Sequence, residues 1–472
     1  MHASTAVLIA AVLAPVVTIG ACSEELAAPA AGAPAPAIDA ATVAPGPHNV
    51  LSAIVSVRVR NADSVLVRFQ RAGTGEEFAT PGIVPVADSV TIPVLGLVAD
   101  RLHELSVLAY GPGGVAAGPP LEFMTGALPS DLPSYSASGV DPSPGYVVFA
   151  AGAYGLVIDN TGRVVWYRRF PNGPGLNFMA QPNGHYAARP APADPSSPAL
   201  WVELDALGEV TRTLGCALGL RPRMHDLIAL PYAGDYWILC DETRTMNLTA
   251  VGGVADARVT GTAVQHIGAD GSVLFHWSPF DHFEITDVAL AERAGPNVNW
   301  THGNALDLDV DGNIVVSFRN LGEITKIDGI TGEVLWRLGG LRNQFTFDGT
   351  GMPAFARQHG VRAYAEEALL ILDNTGDPLV SRAERYAIDE STRTARLVHS
   401  YASSPAVVTQ IGGSVQDLPR GRALVSFGTA GRVEEYDAEG RVVWRIEGNA
   451  GYVFRAQRIR SLYAPGHGTR SR

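Results

Sequence analysis

"VIDNTGRVVWYRR" (residues 157–169) reads as one tight hairpin: an apolar strand end, an Asp-led turn closed by Gly162, and a second strand carrying Trp166. The same pattern returns as "ELDALGEVTRTL" (203–214), "HIGADGSVLFHW" (266–277), "KIDGITGEVLWRL" (326–338), "AIDESTRTARLVHSY" (387–401) and "EYDAEGRVVWRI" (435–446). A second hairpin stands ahead of most copies, for example "THGNALDLDVDGNIVVSFRN" (301–320) and "GSVQDLPRGRALVSFGT" (413–429). Two hairpins make a four-stranded unit that cannot bury both its faces alone, so six units predict a six-bladed β-propeller over 138–462. "YVFRAQRIRSLY" (452–463) is expected to close the ring.

Working outward, residues 48–126 hold alternating runs such as "SAIVSVRVR" and "SVLVRFQRA", which predict a small antiparallel sandwich of about seven strands. It resembles a fibronectin type III module. Residues 23–47, rich in Ala and Pro, read as a disordered tether. Before them, "AVLIAAVLAPVVTIGAC" has the length of an export signal and ends at Cys22 like a lipoprotein processing site. Residues 1–22 are therefore expected to direct export to the periplasm or cell envelope, with Cys22 as a lipid tether, although no Lys or Arg precedes the apolar run. Cys216 and Cys240 would then meet an oxidising compartment, where both a disulfide and two buried thiols stay open.

The formal charge of −12 and a charged fraction of only 17% argue against nucleic acid as a partner. With 51 Gly and 32 Pro the chain is turn-rich, in keeping with an all-β fold. Its cations are nearly all arginines, Lys326 being the one lysine.

In a propeller the inner strand of each blade starts at one mouth of the central channel. In register, those starts are Asn177, His225, His302, His359 and the "IGGS" at 411–414, so three successive blades put a histidine at one height. "DVDG" at 309–312 centres a hairpin midway between His302 and Arg319, making them cross-strand neighbours at its open end. A single such histidine is an ordinary packing residue. Three in register beside an arginine suit an anionic ligand or transition state.

"MHDLIAL", "THGNALDLDVDGNIVVSFRN", "GEVLWRLGG" and "RQHGV", in this order, resemble the bacterial aryl-sulfate sulfotransferase family, exported six-bladed propellers with a sandwich ahead of them. The resemblance spans about 48–462 and is best between 222 and 362. It implies sulfuryl transfer from a phenyl sulfate to a phenol through a sulfohistidine, with His359 as nucleophile, His225, His302 and Arg319 beside it, and Asn304 on the substrate. It implies no metal and no cofactor, and phenolic sulfates and phenols as small-molecule partners; a homodimer stays open. The excursion at 279–300 has its own sequence, so acceptor preference does not carry over.

The residue types suit that chemistry: an imidazole is unprotonated near neutral pH, and a guanidinium can hold two sulfuryl oxygens. Two other classes use the same residues. Three converging histidines could hold zinc and make a hydrolase, with Arg319 as a repulsive neighbour. A propeller that binds a partner or glycan needs no turnover at all. Quinoprotein and sulfatase readings are weaker: only "KIDGITGEVLWRL" looks like a quinoprotein repeat, and Cys240–Arg244 has Glu242 where a formylglycine site needs Pro or Ala.

Overall fold

The computed structural model describes residues 32–70, 75–348, 355–364 and 368–464. Cys22 and the stretch read as an export signal lie outside them.

The chain is all-β. Ahead of the propeller, one sheet orders Ala37–Pro45, Ser52–Arg60 and Ser89–Leu95, and the facing sheet is built on Ser64–Gln70 and Leu102–Gly111 with three short strands. Strict alternation in Ser52–Arg60 turns Val55, Val57 and Val59 onto a core shared with Val65, Val67, Ile92 and Val107. The module has eight strands, not seven, because the stretch read as a tether contributes one. Ala37–Pro45 pairs along Ser52–Arg60 and packs Ile38, Ala41 and Val43 against the core. Small residues and a terminal proline are tolerated there because the strand is an edge.

Six further sheets follow in chain order among the described residues, antiparallel except where Asn297–Asn299 and Thr346–Asp348 each add a short parallel strand. The first blade takes Tyr146–Ala151, Tyr154–Ile158 and Val164–Arg169, and its innermost strand is Ala456–Ile459 from the C-terminal end, which closes the ring. The inner strands of blades two to six are Phe178–Ala180, Arg221–Ala229, Gly303–Leu308, His359–Tyr364 and Ser414–Leu418.

The repeat has a physical cause. The Asp159 carboxylate accepts the backbone N–H groups of Thr161 and Arg163 at 2.9 and 3.2 Å, and Gly162 takes φ 89°. Asp437 holds Glu439 and Arg441 in the same way, with Gly440 at φ 80°. Trp166 then donates from Nε1 to Ala206 O in the next blade's turn at 2.9 Å, and Trp444 does so to Asn160 O at 2.9 Å. Each such Trp buries its ring while latching one blade to the next.

A second latch encircles the channel. An inner-strand side chain of each blade accepts a backbone N–H from the inner strand of the next. Gln457 takes Ala180 (2.9 Å), Gln181 takes Ala229 (2.9 Å) and Asp226 takes Leu306 (3.1 Å). Asp307 takes Ala363 (3.0 Å), Tyr364 takes Asp417 (2.8 Å) and Gln416 takes Arg458 (2.6 Å). The sixth bond returns to the first blade. Each contributes about 1 kcal/mol, and losing one strands a buried N–H.

Asp226 also plugs the channel. Arg455 grips it with two bonds of 2.7 and 3.1 Å, and Arg362 reaches it at 3.3 Å. Burial alone would raise this carboxyl, but the two guanidiniums hold it below its ordinary value. Cys216 and Cys240 form a disulfide, with a Cα–Cα distance of 6.2 Å, that ties blade two to blade three near the mouth. Closing a loop of 24 residues stabilises the fold by about 3 kcal/mol in the chain-entropy account.

Candidate active site

The mouth is where the inner strands begin. The hairpin expectation holds there: Gly303 pairs with Phe318, and the Arg319 N–H donates to His302 O at 3.0 Å. His302 itself sits at φ +50°, a conformation that costs a side-chain-bearing residue on the order of 1–3 kcal/mol and that tends to persist at functional sites.

The three histidines converge. His225 and His302 lie with ring centroids 5.1 Å apart. His225 and His359 both stand edge-on to Phe454, at 5.7 and 6.1 Å. Phe454 lies two residues ahead of the strand Ala456–Ile459 that closes the first blade, so the ring closure itself completes the site.

His359 is almost wholly buried, at 1% exposure, and its tautomer is set by its neighbours. Its Nδ1 lies 2.7 Å from Asn374 Oδ1 and 3.0 Å from Arg357 O, both acceptors. The Asn374 amide cannot flip, because its Nδ2 donates to Thr409 O and Gly412 O at 3.0 and 2.9 Å. The proton therefore resides on Nδ1 and the lone pair on Nε2, which meets only a long 3.3 Å contact from the Gly412 N–H. Burial lowers its pKa to about 4, against the Asn374 bond that raises it and with Arg319 pushing further down. His359 is a neutral imidazole at neutral pH.

His302 has the opposite tautomer. Asn299 Nδ2 donates to its Nδ1 at 2.7 Å, which leaves Nε2 as the N–H. Burial, then Arg223 and Arg319, push its pKa down to about 2. His225 is lowered well below its ordinary value, chiefly by burial and then by Arg223, and its Nδ1 has no partner among the described residues.

Arg319 is the open cation. It donates to Asn320 Oδ1 at 2.9 Å and Gln410 O at 3.3 Å, and among the described residues no carboxylate is paired with it. Other guanidiniums nearby are matched: Arg357 pairs with Glu292, Arg223 with Asp241 and Arg455 with Asp226. The centre of the mouth thus combines neutral imidazoles with a guanidinium, that of Arg319, that has no carboxylate partner among the described residues.

Asn304, expected on the substrate, is fully buried and donates from Nδ2 to Gln358 O at 2.7 Å. It supports the residue before His359 and presents no surface to a ligand. Asn177 has the same role two blades earlier, donating to His225 O at 2.9 Å. The 279–300 excursion is a fixed wall: Asn297–Asn299 pairs with Ala257–Ile267, and Asp287 receives Arg337. It supplies Asn299 and Glu292 to the site. Among the described residues, no three His, Cys, Asp or Glu are grouped to hold a metal ion.

Sequence reasoning missed Asn374, Phe454, Arg455, Arg223 and Arg357. Only Arg223, two residues before a suspected histidine, carried a usable signal.

A β-propeller whose mouth gathers neutral histidines around an unpaired arginine is the class of protein that fold and site define. Residues 223–449 match the family described as Arylsulfotransferase (ASST). No curated protein matches the chain. Among solved structures, a protein of unknown function from Bacteroides caccae is similar at 12% identity and a TM-score of 0.42, over 68% of this chain and 100% of that one. A streptogramin B lyase is similar at 14% and 0.38, over 66% and 84%. A quinonprotein alcohol dehydrogenase-like protein from Bacteroides thetaiotaomicron is similar at 11% and 0.36, over 86% and 94%. These likenesses are too distant to bear on chemistry.

Proposed function

We propose that this chain is an aryl-sulfate sulfotransferase that moves a sulfuryl group from a phenolic sulfate ester to a phenolic acceptor through a sulfohistidine on His359, with no nucleotide sulfate donor. The observation that carries this reading is the Asn374–His359 pair, which leaves a buried neutral imidazole with a free Nε2 lone pair near an unpaired guanidinium.

In the first half-reaction, Nε2 attacks sulfur as the S–O bond to the aryl group breaks. Charge on the sulfuryl oxygens is met by Arg319, and by the Gly412 N–H that Nε2 releases. The leaving phenolate accepts a hydrogen bond from His302 Nε2–H, which stabilises its charge, and takes its proton from solvent. The ring keeps its Nδ1 proton on Asn374, so the sulfurylated imidazole is cationic and a good leaving group. In the second half-reaction the acceptor oxygen attacks sulfur, loses its proton, and the S–N bond returns its electrons to Nε2.

Export to the periplasm or cell envelope, with Cys22 as a lipid tether, belongs to the same proposal; the disulfide supports an oxidising compartment. The test is a chromogenic aryl sulfate with and without an added phenol, followed by mass analysis after donor alone. Phenol-dependent release and a sulfuryl increment on the His359 peptide are expected. A fully active His359→Asn variant would overturn the mechanism.

A further inference from the structure

We propose that the rim between the second and third blades is a carboxylate subsite of the same mouth, built by Arg189 and Arg223, so that the phenolic substrate carries an acidic group on its ring. The inference rests on the sulfuryl-transfer reading for the identity of the substrate's other end, and on separate residues for its own.

Arg223 is the third residue of the inner strand of blade three, two residues on the mouth side of His225. Its side chain is 7% exposed, and its carbonyl is pinned by Trp201 Nε1 at 3.0 Å. It pairs with Asp241, yet its Nε is buried with no partner among the described residues. Arg189 follows the strand Tyr186–Ala188 of blade two, and its Nε is likewise buried without a partner among the described residues. Asp241 is the one carboxylate that acts on both guanidiniums. Two fixed positive charges therefore face one negative charge.

A buried guanidinium N–H left without an acceptor is costly, and a cluster with one surplus charge is most stable when an anion completes it. A carboxylate suits best, since its two oxygens match the planar fork of donors. The site is held in place: Cys240, next to Asp241, is bridged to Cys216 of the preceding blade. Arg189 is half-buried, so the cluster opens to solvent.

Arg223 and His225 share one short stretch of the inner strand. Arg223 lies two residues from His225, and its charge adds to burial in lowering both His225 and His302.

The test compares 4-hydroxybenzoate with its neutral methyl ester, by calorimetric binding to the full chain. The acid is expected to bind roughly 10- to 100-fold more tightly than the ester, as loss of a hydrogen bond to a charged group implies. Arg189→Gln is expected to erase most of that difference, and Arg189→Lys to retain some of it. Equal affinities for acid and ester in the wild-type chain overturn the proposal, as does a preference that survives Arg189→Gln unchanged. Because binding is read without turnover, a chain that discriminates acid from ester but releases nothing from an aryl sulfate would strike the sulfuryl-transfer reading alone.

Discussion

The hairpin formed by Gly303–Leu308 and Ile314–Phe318 ends in a cation at each pole, and the two are treated in opposite ways. At its turn, Lys326 is 3% exposed and receives three carboxylates: Asp309 at 2.8 Å, Asp311 at 2.7 Å and Glu390 at 2.5 Å. Burial would lower its pKa, but the three acids raise it instead. At the open end, Arg319 is partly desolvated and has two neutral acceptors and no carboxylate among the described residues. An over-neutralised cation holds turns together and can take nothing more. An under-neutralised one keeps its field for a ligand, and the fold tolerates the cost because the channel plug and the interblade latches anchor the mouth.

That contrast can be broken from either pole. The largest effect is expected at the nucleophile: His359→Asn should abolish both turnover and sulfuryl labelling, measured by phenol release and peptide mass. Next, Arg319→Lys keeps the charge but loses the two-pronged geometry, and steady-state kinetics should show a hundred- to thousandfold loss in kcat, about 3–4 kcal/mol. Wild-type kinetics should already differ from a free histidine's. With His359 at about 4, kcat/KM should hold down to about pH 4 instead of falling from 6.5.

Asn374→Asp sharpens the point. An added negative charge beside Nδ1 raises the folded pKa, so the acid limb should move to higher pH; a profile that stays in place would remove Asn374 from its positioning role. Rate losses of about tenfold are expected at neutral pH. The smallest kinetic effect belongs to the other pole. Lys326→Met strands three carboxylates and should lower unfolding stability by about 2–4 kcal/mol in denaturant titrations, with kcat unchanged. An equal loss of activity would merge the two poles into one network.

Linkage adds a stability measurement. The folded His359 pKa is depressed, so the unfolded chain takes up the proton first as pH falls. Its contribution is fully present above about pH 6.5 and is lost between 6.5 and 4, on the order of 3 kcal/mol.

Much of this was legible because repeats make it so. Asp-turn-Gly-x-Val-x-Trp is a local device: the carboxylate caps its own turn, glycine supplies positive φ, and the Trp must bury. Residues that obey local rules announce themselves, and in-register counting then placed His225, His302, His359 and Arg319 at one mouth. Asn304 was misread for the same reason, since register puts it near the site but does not say which way its amide is spent. The tether was misread over Ala37–Pro45 because that segment has a composition suited to disorder and becomes a strand only through its partner Ser52–Arg60.

By itself the sequence determined the propeller, the sandwich and the height at which the histidines stand, because turn chemistry and strand periodicity act over a few residues. Tertiary structure alone decided the chemistry of those histidines. Asn374 sets a tautomer from 15 residues away, Arg455 reaches Asp226 across 229, and Phe454 enters only when the last strand closes on the first blade. A pKa and a proton's position are set by burial, charge and acceptor geometry at a few ångströms, and no spacing along the chain encodes those distances.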